Sequence, residues 1–275
     1  MVPDALYRPK RHRYPMKKFG LIGHPIAHSL SPHLFKAAYD GKFTYDLIEG
    51  ENFEESYTRF LEEYDGINVT APFKELAFKK ADIRSQECDA VGATNLLIKT
   101  PEGIKAYNSD YLGVKRWLEE SSSKVCPEND RTINVLVVGY GGAGKAVAAA
   151  ARSLGMSITI MNRTIRSEDI RPLDEFCAEF RKADIIIYNI PGPIPQLDEI
   201  TEDDLKGGNT ASPKFILEAN YRNPSFTTET IDRMKEANPL IEYTEGKLWL
   251  LYQAVTGYEI FTGEMPDLEN MSKVL

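Results

Sequence analysis

The chain has 275 residues, enough for one large domain or two small ones. Hydrophobic residues make up 42% and charged residues 27%, a balance that excludes a globally disordered chain. Its 33 basic and 41 acidic side chains leave a formal charge of −8, which argues against nucleic acid and anionic membrane surfaces as partners. No apolar run approaches the ~18–20 residues that span a bilayer. The first twenty residues carry charge with no apolar stretch behind it, so no secretory signal is expected. Cys88, Cys126 and Cys177 are scattered, odd in number and without a CxxC pair, which points to a reducing, cytoplasmic setting.

Residues 1–15 are basic, contain Pro3, Pro9 and Pro15, and lack apolar periodicity. They are expected to be a dispensable extension, with a partner-binding basic arm as the alternative. Phe19–Gly23 reads as a strand, and Ser31-Pro32 as an N-cap and first helical position opening a helix to Tyr39. Thr44–Ile48 is a strand, Phe53–Tyr64 an amphipathic helix and Gly66–Thr70 a strand. Thr94–Ile98 and Ile104–Tyr107, joined by a Pro-Glu-Gly turn, resemble a hairpin. Tyr111–Glu120 reads as a helix and 121–129 as a loop; a buried strand at Ile133–Val138 and an alanine-rich helix to Leu154 follow. Strands are expected at Ser157–Met161, Asp184–Asn189 and Lys214–Ala219, and a long closing helix at Lys247–Phe261. Alternating strands and helices predict an α/β protein with largely parallel sheets in two domains, the closing helix returning to the first.

The sharpest local signal is a buried strand running into Gly139-Tyr140-Gly141-Gly142-Ala143-Gly144-Lys145 and an Ala-rich helix. Gly139, Gly141 and Gly144 fit G-x-G-x-x-G. The first permits the turn, the second lets a pyrophosphate approach the backbone, and the third lets helix and strand pack closely. The same residues nearly match a P-loop, but Ala146 lacks the hydroxyl that would hold Mg²⁺. A plain connecting turn is the bland alternative. At the end of the next strand an NAD site would place an acid for the ribose 2′-hydroxyl. Here stand Asn162-Arg163-Thr164, with Arg166 close behind. Arginine suits a 2′-phosphate, so NADP is favoured over NAD.

Other polar motifs lie in the first domain. Ser29 and Ser31 follow a strand and open a helix, where hydroxyls and free N–H groups can meet a carboxylate. Asn68–Lys74 runs off a strand into a proline turn, and Asn95 and Asp110 sit at the ends of apolar runs. His24, His28 and His33 lie close together, but Pro25 and Pro32 break the helix their spacing would need, so no metal is expected.

Together Gly23–Pro32, Asn68–Lys74, Val91–Asn95, Asn108–Asp110, Gly139–Gly144, Asn162–Thr164, and Gly246 with Gln253 resemble the shikimate dehydrogenase family over about residues 19–263. The resemblance implies a substrate and catalytic domain of residues 16–110 and 246–275, and a Rossmann-type NADP domain of 111–245. It implies that Ser29 and Ser31 hold the shikimate carboxylate. Thr70, Lys74, Asn95, Asp110 and Gln253 would surround the hydroxyls, with Tyr221 reaching over from the second domain. Lys74 and Asp110 would be the catalytic pair. Gly139, Gly141, Gly142, Ala143, Gly144, Asn162, Arg163, Thr164, Arg166 and Gly246 would bind the cofactor. The implied reaction is reversible NADPH-dependent reduction of 3-dehydroshikimate to shikimate by a monomer or homodimer. A quinate/shikimate dehydrogenase and a non-catalytic binding module are the alternatives. Departures from the family pattern are Arg166 one position early, the short Asn189–Pro193 loop, Glu218 for an Asp with one extra residue before Pro224, and Trp249 for a methionine.

Overall fold

The computed structural model describes residues 17–128, 130–206 and 212–275; the extension 1–15 lies outside the described residues. Within them, two sheets of six strands each form. The first half runs β1 (Lys18–Gly23), α1 (Ser31–Tyr39), β2 (Thr44–Glu49), α2 (Phe53–Glu63), β3 (Gly66–Val69), α3 (Lys74–Lys80), β4 (Ile83–Arg84), α4 (Gln86–Val91), β5 (Leu96–Thr100) and β6 (Gly103–Tyr107). Its strand order is β2-β1-β3-β5-β6-β4. The first three are parallel, while β5 runs antiparallel to both β3 and β6 as the hairpin reading requires.

A long helix, α5 (Ser109–Val125), leads into the second half. There follow β7 (Asn134–Val138), α6 (Gly142–Ser153), β8 (Ser157–Met161), β9 (Ile170–Arg171), α7 (Phe176–Lys182), β10 (Ile185–Tyr188), α8 (Glu202–Lys206), β11 (Lys214–Glu218), α9 (Thr228–Ala237), β12 (Ile241–Thr244), α10 (Gly246–Thr262) and α11 (Leu268–Ser272). This sheet is wholly parallel, in the order β12-β11-β10-β7-β8-β9. Its central strands are buried on both faces, the condition under which a strand reads as a continuous apolar run. The chain order reverses at β7, so a crevice opens beyond the carboxyl ends of β7 and β10. The two sheets form the two-domain α/β architecture expected from the sequence.

Residues 121–125 correct one expectation: they continue α5 rather than form a loop. Ser122 and Ser123 turn their hydroxyls back onto the Glu119 carbonyl at 2.9 and 3.0 Å, while Ser121 is buried. Serine is a weak helix breaker, and packing overrides it here. Residues 74–91, without any element in the sequence reading, hold α3, β4 and α4, each too short to show a period. Helix α10 is apolar around most of its surface because it is sandwiched. It packs along α5 and returns to the first sheet, where Phe261 stacks on Phe19 at 4.9 Å between ring centroids. Among the described residues no helix is long and apolar enough to cross a membrane.

Strand β11 buries a lysine at its start. The Lys214 ammonium donates to the carbonyls of Phe180 (3.1 Å), Arg181 (3.0 Å) and Ala183 (2.7 Å), closing the carboxyl end of α7. Burial pulls its pKa down to about 8, with Asp184 and Asp204 opposing, so it remains charged at neutrality. Lys214→Met keeps the stem but strips three acceptors of their donor. It should cost about 2–3 kcal/mol in urea unfolding at unchanged slope. A loss under about 0.5 kcal/mol would mean that water replaces the ammonium there.

Candidate active site

The carboxyl ends of β1 and β3 and the start of α5 enclose a cavity of about 260 Å³. Its wall brings together all eight first-domain and bridging residues expected from the sequence. Ser29, Ser31 and Thr70 line one part, Lys74 and Asp110 another, and Asn95, Gln253 and Tyr221 the remainder.

Ser31 differs from expectation in its local role: Leu30 occupies the N-cap of α1 and makes no side-chain cap bond. Instead the Ser29 hydroxyl accepts from the Ser31 N–H at 3.2 Å and donates to the Ser31 hydroxyl at 3.1 Å. Both oxygens therefore point to one place, with Pro32 removing a competing N–H behind them. The fully buried Tyr258, its hydroxyl pushed well up by burial, donates to the Ser31 carbonyl at 3.1 Å and steadies this corner.

Lys74 opens α3 directly beyond the β3 turn, and its ammonium pairs with the Asp110 carboxylate. Only 22% and 16% of the two side chains is exposed, so the pair is weakly screened. Asp110 lies in the first turn of α5, capped by Asn108, where the helix dipole favours a carboxylate. Trp249, the departure noted in the sequence, is buried and donates to the Asp110 carbonyl at 3.0 Å. Asn95 accepts from the Ser109 N–H at 2.7 Å and donates to Gln253 at 3.3 Å. Gln253 reaches the cavity because Gly113 lets α5 and α10 cross closely; a Cβ there would sit 2.7 Å from the Gln253 nitrogen.

Sequence reasoning missed Asn68 and Tyr258 as cavity residues. Asn68 bridges the buried Tyr45 hydroxyl at 2.7 Å and the Asn95 carbonyl at 3.2 Å. Its place in the motif that begins at the end of β3 was the available signal; Tyr258 carries none, since an aromatic in an apolar helix reads as core.

In the second domain, Gly139 has φ +94°, and a Cβ on it would meet Ile190 at 2.9 Å. A Cβ on Gly144 would lie 2.0 Å from the Gly139 carbonyl oxygen, whereas one on Gly141 would meet nothing within 4 Å. The turn is closed behind and open in front. Gly141 caps α6 with no side-chain bond, so first-turn N–H groups remain for an anion. Ala143 stands in that first turn. Asn162 ties the turn to the next strand, accepting from Tyr140 N–H at 3.2 Å and donating to the Thr164 carbonyl at 3.0 Å. Arg163, Thr164 and Arg166 are exposed, and neither arginine makes an ion pair among the described residues. The short loop after β10 is pinned by the Tyr188 hydroxyl on the Gly192 carbonyl at 2.8 Å. Beside it the buried Asn189 Oδ1 has no partner. These features fit a phosphorylated dinucleotide. Gly246 has a packing reason of its own: a Cβ would lie 2.5 Å from the Ala219 carbonyl at the end of β11.

Lysines from both sides approach across the cleft. Lys145 pairs with Glu75 at 3.0 Å, which holds the Glu75 carboxyl below its usual range. The Lys74 stem comes within 3.9 Å of a Cβ built on Gly142. Glu218 explains its own departure: its longer side chain accepts from the Ser225 and Phe226 N–H groups and from Tyr243, bracing the enlarged loop 219–224. Among the described residues no three His, Cys, Asp or Glu side chains gather as a metal site.

A wholly parallel sheet with a glycine turn at its switch point, set across a cleft from a polar cavity, defines a two-domain dinucleotide-binding protein. Residues 21–97 match the family described as shikimate dehydrogenase substrate binding domain, and 94–205 the D-isomer specific 2-hydroxyacid dehydrogenase, NAD binding domain. A shikimate dehydrogenase (NADP(+)) of Methanococcus maripaludis is 30% identical over 94% of this chain and 96% of its own. The solved Mycobacterium tuberculosis shikimate dehydrogenase superposes with a TM-score of 0.72 at 27% identity, over 94% of this chain and 98% of that one. The Thermus thermophilus shikimate 5-dehydrogenase, solved with NADP(H) and shikimate, shares the fold at a TM-score of 0.74 and 24% identity, over 94% and 98%. The chain belongs to the shikimate dehydrogenase family.

Proposed function

We propose that this protein is an NADP-dependent shikimate dehydrogenase interconverting 3-dehydroshikimate and shikimate. The observation that carries the reading is the Lys74–Asp110 pair on the cavity wall, with the Lys74 stem beside Gly142 of the dinucleotide turn. That arrangement joins a proton donor to the place where a hydride donor would lie. Residues 16–110 and 246–275 form the substrate domain in this reading, and 111–245 the NADP domain. Ser29 and Ser31 receive the substrate carboxylate, while Thr70, Asn95, Tyr221 and Gln253 sort its hydroxyls.

Gly139–Gly144 would hold NADPH, with Arg163 and Arg166 available to its 2′-phosphate, and the cofactor would supply the hydride. As a ketone is reduced its oxygen gains negative charge, which the Lys74 ammonium stabilises before giving up a proton. Asp110 holds the ammonium in place and balances its charge, and in the reverse direction neutral Lys74 accepts the proton from the hydroxyl. Every group invoked comes from one chain, so a monomer or a homodimer serves equally. The three unpaired cysteines suit the cytoplasm.

The test is formation of NADPH from NADP⁺, or of NADH from NAD⁺, with shikimate or quinate as the reductant. Turnover with NADP⁺ and shikimate is expected, and its absence with every combination would leave a binding module instead. Arg163→Ala should raise KM for NADP⁺ about 10-fold while leaving that for NAD⁺ nearly unchanged. Equal losses with both cofactors would remove Arg163 from 2′-phosphate recognition.

A further inference from the structure

The cavity is poor in positive charge for a carboxylate ligand. Apart from His28, its lining carries only Lys74 and Asp110, which neutralise one another. The side chains of the Ser29–Ser31 corner offer hydroxyls and no charge. Acids border the loop that leads into it: Glu49 accepts from the Ile26 N–H at 3.2 Å, and Glu51 lies 3.6 Å from His24. A carboxylate entering this corner loses hydration and meets negative charge.

One cation arrives from across the cleft. The Arg222 guanidinium donates to the carbonyl of His28, the residue immediately before Ser29. It lies 5.7 Å from the centre of the Tyr221 ring and makes no ion pair among the described residues. Its loop is braced rather than loose. Asn220 accepts from the Arg222 and Asn223 N–H groups at 3.2 and 3.3 Å and donates to the Asn223 carbonyl at 2.7 Å. Beyond Pro224, the buried Glu218 carboxylate holds Ser225 and Phe226. A guanidinium has five N–H donors, and the His28 carbonyl uses one.

We infer that Arg222 is a specificity-determining residue for the substrate's carboxylate, supplied by the nucleotide domain to the Ser29–Ser31 corner of the other domain. The inference rests on the shikimate reading and deepens it. Arg222 acts in two ways. Its charge offsets Glu49 and Glu51 where the anion is desolvated, and its bond to the His28 carbonyl ties the serine-bearing loop to the opposite domain. Binding of an anion thereby favours the arrangement in which Arg222 meets the His28 carbonyl.

The experiment compares Arg222→Gln, which keeps N–H donors without charge, and Arg222→Lys, which keeps charge, with the unaltered protein. Arg222→Gln should raise KM for shikimate about 5- to 10-fold, as expected for losing one partly screened charge at the rim of the cavity, beside the residue that precedes Ser29. Its kcat should stay within about 2-fold, since the chemistry occurs at Lys74. KM for NADP⁺ should not move, and the fall of kcat/KM with added salt should flatten. Arg222→Lys should recover most of the loss. The methyl ester of shikimate, which lacks the charge, should not distinguish Arg222→Gln from the unaltered protein. Equal KM and salt dependence for Arg222→Gln and the unaltered protein would overturn the inference. So would equal losses with shikimate and its ester, which would mark a purely structural clamp. Calorimetric titration of shikimate gives the same comparison without turnover. An unaltered protein that neither binds nor oxidises shikimate would instead overturn the functional reading on which this one stands.

Discussion

Lys74→Met should lower turnover about 10³-fold or more, combining loss of a general acid with loss of charge stabilisation on the developing alkoxide. Shikimate binding should weaken by less than about 10-fold, because the hydroxyl of the ground state is neutral and the ammonium acts mainly on the transition state. Methionine is chosen to keep the stem that packs toward Gly142. Removing the ammonium also leaves Asp110 facing the cavity without its partner. Asp110→Asn should also lower turnover, because the ammonium loses the carboxylate that positions it, and the two substitutions together should cost less than the sum of each. Calorimetric binding of shikimate beside single-turnover reduction of NADP⁺ separates the two effects. A Lys74→Met protein turning over at the original rate would remove this lysine from the chemistry.

Gly144→Ala should weaken NADP⁺ binding by about 10²-fold and cost about 2–3 kcal/mol of stability in the second domain. The added methyl would stand 2.0 Å from the Gly139 carbonyl oxygen, and that atom is backbone, so it cannot rotate away. Relief requires α6 to lift from β7, which moves the N–H groups facing the pyrophosphate. The serine corner and the Lys74–Asp110 pair are built on other elements, so shikimate should still bind when titrated alone. Gly141→Ala makes the control: its Cβ meets no protein atom, so the fold should tolerate it while cofactor affinity falls. Full NADP⁺ affinity in Gly144→Ala would contradict the close packing that the turn displays.

Local signals sufficed where the physics is local. The glycine spacing of 139–144 has a meaning within six residues, because turn conformation and helix N–H groups are set there. The apolar runs of β7, β10 and β11 mark parallel buried strands wherever they occur. Similarly, Ser29, Ser31, Thr70 and Lys74 follow strands β1 and β3 directly, so the sequence by itself determined that they gather beyond the carboxyl ends of one sheet. Other features depended on packing between distant segments. The serines of 121–123 became helix because α5 is held by α10 and α6, which outweighs their weak propensity. Gln253 faces the cavity only because Gly113 allows two helices to cross. Trp249 is fixed by a carbonyl 139 residues away, and Lys214 is buried where three carbonyls at and just beyond the end of α7 converge on it. Arg222 on its own reads as a surface arginine. Its meeting with His28 exists only once the two domains face each other, since no periodicity or turn chemistry encodes a contact between loops 194 residues apart.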